Sequence, residues 1–306
     1  MGGSDGGPVV SVLIPTLARP AQLAALLESL SAQVNAPDFE IVLVDNDAAG
    51  SAQAVARRFE GRLPLRYVLE PRPGLASARN RLVAESRGAF LAFVDDDERA
   101  APGWLGAHLE AALAYGADAV FGAKRYAFPA TVPGWIRTCR IFRRPQLEAG
   151  AELPWWFGDT GNALVRRAAL PDRERPFRDA FNETGGEDMD LFRRMASRGA
   201  RLVAAPAALV EEDRPAARAT FGWILRRAFR NGNNQATFAL EDGSVRRRTL
   251  AAANLGLLLR EGARSVLALR RPEAMIDHAI SAAEAAGRCG MLVGIAYREY
   301  ARRPVS

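Results

Sequence analysis

The sequence predicts an α/β protein built on an open, mostly parallel twisted sheet with helices on both faces, followed by a helical C-terminal segment. Three observations carry this expectation. Short apolar runs alternate four times with helix-periodic segments across roughly the first 130 residues. The runs are apolar at nearly every position, as strands covered on both faces require. Beyond that point the alternation becomes irregular and ends in long amphipathic helical stretches.

The first strand is "VVSVLIPT" (9–16), a β-branched apolar run, and "AQLAALLESLSAQV" (21–34) follows with Leu23, Leu26, Leu27, Leu30 and Val34 at helical spacing. The unit then repeats. "EIVLVDND" (40–47) precedes "GSAQAVARRFE", "LRYVLEP" (65–71) precedes "GLASARNRLVAES", and "AFLAFVDDD" (89–97) precedes "GWLGAHLEAALAYG". Later, "PWWFGDTGNALVRRAAL" (154–170) mixes aromatics with a loop and a short strand, "GGEDMDLFRRMASRG" (185–199) begins a helix, and "ARLVAAPAALVEED" (200–213) reads as extended. These segments divide the chain into a loose glycine-bearing tail (1–8), a ligand-binding domain (9–213) and a basic helical region (214–306).

Composition narrows the function classes. At 306 residues and 49% hydrophobic content the chain can bury a substantial core. Cys139 and Cys289 stand far apart with no CxxC spacing, which argues against a zinc site or disulfide scaffold and fits a reducing cytosol. "MGGSDGGPVV" lacks the basic and apolar regions of a signal peptide, and "LAAANLGLLL" is too short to span a bilayer, so a cytoplasmic location is expected. The net charge of +6 is unevenly placed: residues 1–213 carry 25 basic and 28 acidic groups, and 214–306 carry 16 and 7. Two readings of this basic region stand. Arg226, Arg227, Arg230 and Arg246 to Arg248 contact an inner-membrane surface peripherally, or they are solvated faces in a chain where Lys124 is the single lysine.

In open α/β sheets ligands sit at the carboxyl ends of the strands. Those ends are Pro15-Thr16, Asp45-Asn46-Asp47, Glu70-Pro71-Arg72 and Asp95-Asp96-Asp97. Neither GxGxxG nor GxxxxGK[ST] follows the first strand, so the dinucleotide fingerprint and the P-loop are excluded. Three adjacent carboxylates repel, and a hard cation, Mg²⁺ or Mn²⁺, supported by substrate phosphates would offset that cost; a solvated turn capping the next helix is the alternative. Glu187 and Asp188 follow Gly185-Gly186 at a helix start, as a poised ionised carboxylate or as ordinary N-terminal charge complementarity. Asp190 reads as helix-surface charge or support for Asp188, and Asp159 as a weaker candidate. "RPGLASARNRL" (72–82) opens a helix bearing Arg79, which suits a diphosphate clamp or a plain surface helix, and Arg19 reads the same way. Trp155, Trp156 and Phe157 suit sugar stacking or core packing. His108 and His278 lack partners at metal spacing and read as structural.

Taken in order, "VSVLIPTLARPAQLAALLESL", "FEIVLVDNDAAGSA", "RPGLASARNRL", "FLAFVDDDE", "DTGNALVRR" and "GGEDMDLFRR" resemble the family 2 glycosyltransferases of GT-A fold over about residues 9–235. Within that family the chain is similar to bacterial enzymes that add single sugars to lipid-linked or exopolysaccharide acceptors. The resemblance implies an inverting, metal-dependent transfer from a nucleotide-diphosphate sugar to a glycan or lipid-linked acceptor, with no role for nucleic acid. It implies that Pro15, Thr16, Arg19, Asp45 and Asn46 line the nucleotide, with Arg79 at the diphosphate. Asp95 to Asp97 correspond to the DxD motif, in which Asp97, with Asp95, would bind the cation while Asp95 or Asp96 holds the ribose. Glu187 and Asp188 correspond to the "ED" pair, with Asp188 as general base.

Two departures from the family pattern stand out. The histidine that many members supply after the last strand is replaced by "ALVEEDRP", where Glu211 or Asp213 would substitute, and the QxxRW motif of processive enzymes is absent. Two other classes remain as alternatives: a sugar-nucleotide nucleotidyltransferase, disfavoured because "PTLARPAQ" is not its phosphate loop, and a non-catalytic glycan- or membrane-binding scaffold.

Overall fold

The computed structural model describes residues 7–299, so positions 1–6 of the expected tail and 300–306 of the basic region lie outside it. The chain forms two compact units. One runs to Arg125 and includes Gln146–Glu212; the other joins Tyr126–Pro145 to the residues from Asp213 onward. The second unit thus begins again at Asp213 and takes in 126–145 as well. The cause is apolar pairing at long range: Val132, Ile136 and Phe142 bury against Ile224, Ala228, Ile276 and Ile280.

In the first unit the elements are β1 (Val10–Thr16), α1 (Pro20–Ser31), β2 (Phe39–Asp45), α2 (Gln53–Arg58), β3 (Leu65–Leu69), α3 (Leu75–Glu85), β4 (Phe90–Val94), the short β5 (Glu98–Ala100), α4 (Trp104–Ala114) and β6 (Ala119–Ala127). After the one-turn α5 (Gly134–Arg137) of the second unit come β7 (Asn162–Arg166), α6 (Glu187–Ala196) and β8 (Leu202–Asp213). The strands make one open sheet in the order β3-β2-β1-β4-β7-β6-β8-β5. From β3 to β4 it is parallel, with Val12 opposite both Ile41 and Ala92. β7 then pairs antiparallel with β4 and with β6, and β5 antiparallel with β8. The sheet is thus parallel across the repeating strand–helix units and antiparallel in the pairs that follow them. A parallel neighbour needs a crossover back to the start of the sheet, whereas β7 enters beside the end of β4, Asn162 opposite Val94.

Period-two alternation sends side chains to both faces, and both are covered. Val12, Ile14, Ile41 and Leu43 meet Leu23, Leu26, Leu27 and Leu30 of α1 and Trp104 and Leu105 of α4. Leu13, Val42 and Val44 meet Leu82 and Val83 of α3 and Leu191, Phe192 and Met195 of α6. Each such side chain taken from water contributes roughly 1.5–3 kcal/mol, which is what fixes the register of the parallel strands and the place of their ends.

The second unit carries α7 (Phe221–Glu241), α8 (Arg247–Leu267) and α9 (Pro272–Leu292). Thr220 caps α7, its Oγ1 accepting from the Trp223 amide at 3.2 Å. Arg230, expected among the membrane-facing arginines, is instead 5% exposed and ion-paired with Glu299, which Arg227 also approaches at 3.3 Å. No described helix is long and apolar enough to cross a membrane.

Candidate active site

At the end of β4 the three aspartates fan out to separate partners. Asp96 is 4% exposed; its Oδ2 accepts from the Thr16 hydroxyl at 2.8 Å and its Oδ1 from Arg19 at 2.9 Å. The same Arg19 nitrogen reaches Asp97 Oδ2 at 2.9 Å. Asp95 turns the other way, to Arg79 at 3.3 Å, while its amide donates to Glu98 Oε2 at 3.2 Å. Burial, with the charge of Asp95, raises the Asp96 pKa against the opposing pull of Arg19 and Thr16. The mutual repulsion of the triplet is therefore answered by two arginines already within the chain.

Arg79 lies on α3, its side chain 4% exposed, and donates to the buried carboxylate of Glu187 as well as to Asp95. Its guanidinium stands 5.8 Å from the Phe177 ring. The first turn of this helix is held by Asn46: the side-chain amide donates to the carbonyls of Glu70 and Arg72, each at 2.8 Å, and Oδ1 accepts from the Gly74 amide at 3.0 Å. Asn80 exchanges two hydrogen bonds with the Phe177 backbone, at 2.7 and 2.9 Å, so the arginine sits between two clamped segments. Asp45 is fully buried, and its oxygens accept from the Asp47 and Ala52 amides (3.0 and 2.8 Å) and the Tyr67 hydroxyl (3.1 Å). It organises the loop after β2, and Tyr67 is pushed up to about 12 by burial and by Asp45.

Gly185 and Gly186, at φ of +70° and +99°, make a left-handed turn that only glycine adopts at low cost and deliver the chain into α6. Glu187 then points inward at 2% exposure, and Asp188 is half-buried, its Oδ1 accepting from the Met189 amide at 2.7 Å. Asp190 is not surface charge. It is fully buried and ringed by Arg178 (2.5 and 2.9 Å), Arg193 (3.1 Å) and Arg194 (2.8 Å), which pins the first turn of α6 to the preceding loop. Arg79, by spanning Glu187 and Asp95, joins the ED pair to the aspartate triplet.

Sequence reasoning missed a second charged centre. Lys124 on β6, 7% exposed in its side chain, lies 2.6 Å from Glu98, 3.2 Å from Asp159 and 3.3 Å from Glu212. Its signal was in the composition: a chain with one lysine puts it where three carboxylates converge. A Cβ on Gly161 would lie 2.5 Å from the ammonium nitrogen, so the glycine of the DTGN loop leaves the room that Lys124 fills. Burial, with the charges of Asp95 and Glu212, drives the Glu98 pKa well above its ordinary value, and Lys124 opposes them. Strand alternation turns Glu212 inward, whereas Glu211 pairs with Arg99 at 2.9 Å.

The remaining candidates separate clearly. Trp155 packs against the core while Trp156 is 60% exposed, the rings edge-on at 5.5 Å. His108 is fully buried, its Nε2 2.8 Å from Asn162 Oδ1, which also accepts from Trp104; burial lowers its pKa to about 4. No group of three or more His, Cys, Asp or Glu is arranged to hold a cation among the described residues. Asp95 and Asp97, with side chains 35% and 12% exposed, offer hard oxygen donors only, a set that fits Mg²⁺ or Mn²⁺ when diphosphate oxygens complete the shell.

Comparison with known proteins places this arrangement. Residues 11–173 match the family described as Glycosyl transferase family 2. Over 237 residues the chain is 35% identical to the succinoglycan biosynthesis protein ExoM of Rhizobium meliloti (strain 1021), covering 76% of this chain and 75% of that one. It is 30% identical over 231 residues to the validoxylamine A glucosyltransferase of Streptomyces hygroscopicus subsp. limoneus, covering 65% and 50%. Among solved structures, the mannosyltransferase PcManGT from Pyrobaculum calidifontis in complex with GDP-Man and Mn²⁺ aligns with a TM-score of 0.61 at 21% identity, covering 92% and 88%. S. aureus TarS 1-349 in complex with UDP-GlcNAc aligns at 0.55 and 17%, covering 94% and 93%. The two structures share the GT-A fold with this protein. With its sheet, its motif order and a 35% identical relative aligned across three quarters of both chains, the protein is an enzyme of glycosyl transferase family 2.

Proposed function

We propose that the protein is an inverting, metal-dependent glycosyltransferase that moves one sugar from a nucleotide-diphosphate sugar to an acceptor hydroxyl in cell-surface glycan or exopolysaccharide assembly. The observation that carries this reading is the Arg79 bridge, which sets the aspartate turn and the Glu187–Asp188 pair on one rim of the sheet. The succinoglycan biosynthesis role in the name of the 35% identical relative supports the exopolysaccharide setting, and a glycan or lipid-linked acceptor fits it.

The chemistry needs two separated groups of carboxylates. Asp188 takes the proton from the acceptor hydroxyl as that oxygen bonds to the anomeric carbon from the face opposite the leaving group. The carbon–oxygen bond to the diphosphate breaks, its electron pair leaving on the diphosphate, so configuration inverts. Held by Asp97 and Asp95, a divalent cation would supply neutralising charge to that leaving group. Arg19 adds positive charge beside the same turn, and Arg79 holds Glu187, the neighbour of Asp188 in the first turn of α6. Pro15, Thr16, Asp45 and Asn46 shape the nucleotide pocket at the neighbouring strand ends, and Asp96 is the ribose-side carboxylate.

The test is nucleotide-diphosphate release from a panel of nucleotide sugars with Mn²⁺ or Mg²⁺. Asp188→Asn should abolish turnover while nucleotide binding persists; transfer at the parental rate would remove the base assignment. Pyrophosphate-dependent nucleoside triphosphate formation would instead reveal a nucleotidyltransferase, and binding without turnover a scaffold.

A further inference from the structure

Helix α8 presents an apolar stripe that nothing in its own unit covers. Leu255, Leu259 and Val266 are 55%, 67% and 64% exposed, and their spacing puts them within about 40° of one another around the helix. Leu267 and Leu269, at its C-terminal end, are 85% and 68% exposed. Glu261 lies on the opposite, buried side and accepts from Arg260 and Arg264 and lies 2.7 Å from His278.

The charge around this stripe is of one sign. Between 247 and 271 the chain has six arginines, Arg247, Arg248, Arg260, Arg264, Arg270 and Arg271, and Glu261 as its only acid. All six are exposed; Arg248 shares the azimuth of the stripe and Arg270 and Arg271 follow its end, whereas Arg260 and Arg264 lie on the far side, paired with the buried Glu261. A second copy of the same face would set arginine against arginine, and a nucleic acid would answer the arginines but leave the leucines in water. A bilayer with anionic headgroups answers both, arginines at the phosphate level and leucines in the acyl boundary.

We infer that the Leu255–Leu259–Val266 face of α8 is an interfacial docking surface for an anionic lipid bilayer. The inference deepens the proposed function, since it rests on that reading for an acceptor made at a membrane, and it keeps Arg247 and Arg248 of the arginine set expected from sequence while leaving out the buried Arg230.

Co-sedimentation of the full chain with vesicles tests it. Phosphatidylcholine vesicles containing phosphatidylglycerol should pellet the protein at least about tenfold more strongly than phosphatidylcholine alone, and added salt should release it. The triple variant Leu255→Ser, Leu259→Ser, Val266→Ser and the pair Arg248→Gln, Arg270→Gln should each weaken binding about tenfold with an unchanged circular dichroism spectrum. Equal binding by parent and variants overturns the inference, as does no binding at low salt. A concentration-dependent dimer lost in the triple variant assigns the face to a second copy, and retention of a single-stranded oligonucleotide lost in the arginine pair assigns it to nucleic acid; either overturns it. Donor turnover measured on the same samples without vesicles reads the transferase proposal separately.

Discussion

Arg79 and Glu187, 108 positions apart in the chain, form a buried ion pair whose guanidinium also reaches Asp95 at 3.3 Å. The pair ties α3 to the first turn of α6. Taking one partner away leaves a charge in a site closed to water, so Arg79→Met should cost about 3–5 kcal/mol of stability. The double variant Arg79→Met, Glu187→Leu should recover a large part of that loss. Urea denaturation of the two single variants and the double variant checks this, and strictly additive costs would contradict the buried coupling.

Asp97 shares Arg19 with Asp96 at the end of β4. Asp97→Ala should make nucleotide-diphosphate binding indifferent to Mn²⁺, a loss of about tenfold or more in metal-supported affinity. Calorimetric titration with and without the cation reads it. Identical Mn²⁺ enhancement in the variant would transfer the role elsewhere.

Lys124 holds the aspartate turn, through Glu98, to the DTGN loop, through Asp159, and to the end of β8, through Glu212. Lys124→Met should lower stability by about 3 kcal/mol and raise the donor concentration needed for half-maximal rate, because Glu98 no longer holds the Asp95 amide in place. Lys124→Arg keeps the charge but brings a wider, planar group against Gly161 and should restore only part of both. Full rescue by arginine, or a stability loss with unchanged donor dependence, would limit the residue to packing.

His108 is neutral in the folded protein, with a pKa lowered to about 4 by burial, against 6.5 when unfolded. A depressed folded value means that the unfolded state binds the extra proton first. The stabilising contribution is complete above about pH 6.5 and declines as pH falls toward 4, by up to about 3 kcal/mol. With only two histidines in the chain, His108 and His278, NMR can follow both imidazoles. One should titrate only near the acid limit, and two ordinary titrations would contradict its burial.

Much of the candidate site was legible because it depends on local pattern. An apolar run ending in Asp95-Asp96-Asp97, or a Gly-Gly pair before Glu187, announces a strand end or a helix start within a few residues. Asp190 shows the limit: its place in the first turn of α6 is readable, but its burial among Arg178, Arg193 and Arg194 depends on a loop folded back over the helix. Residues 126–145 show it again, since their apolar positions find partners beyond residue 220.

By itself, the sequence determined the alternation of strands and helices, and with it the rim on which four polar strand ends meet, since both follow from periodicity over about ten residues. Tertiary structure decided which charges answer one another. Arg79 came to stand between Asp95 and Glu187, Lys124 among three carboxylates, and Arg230 out of solvent beside Glu299. Their partners are distant in sequence, and a charge has no periodicity to announce its partner; only packing the sheet and helices brings such groups within hydrogen-bonding reach.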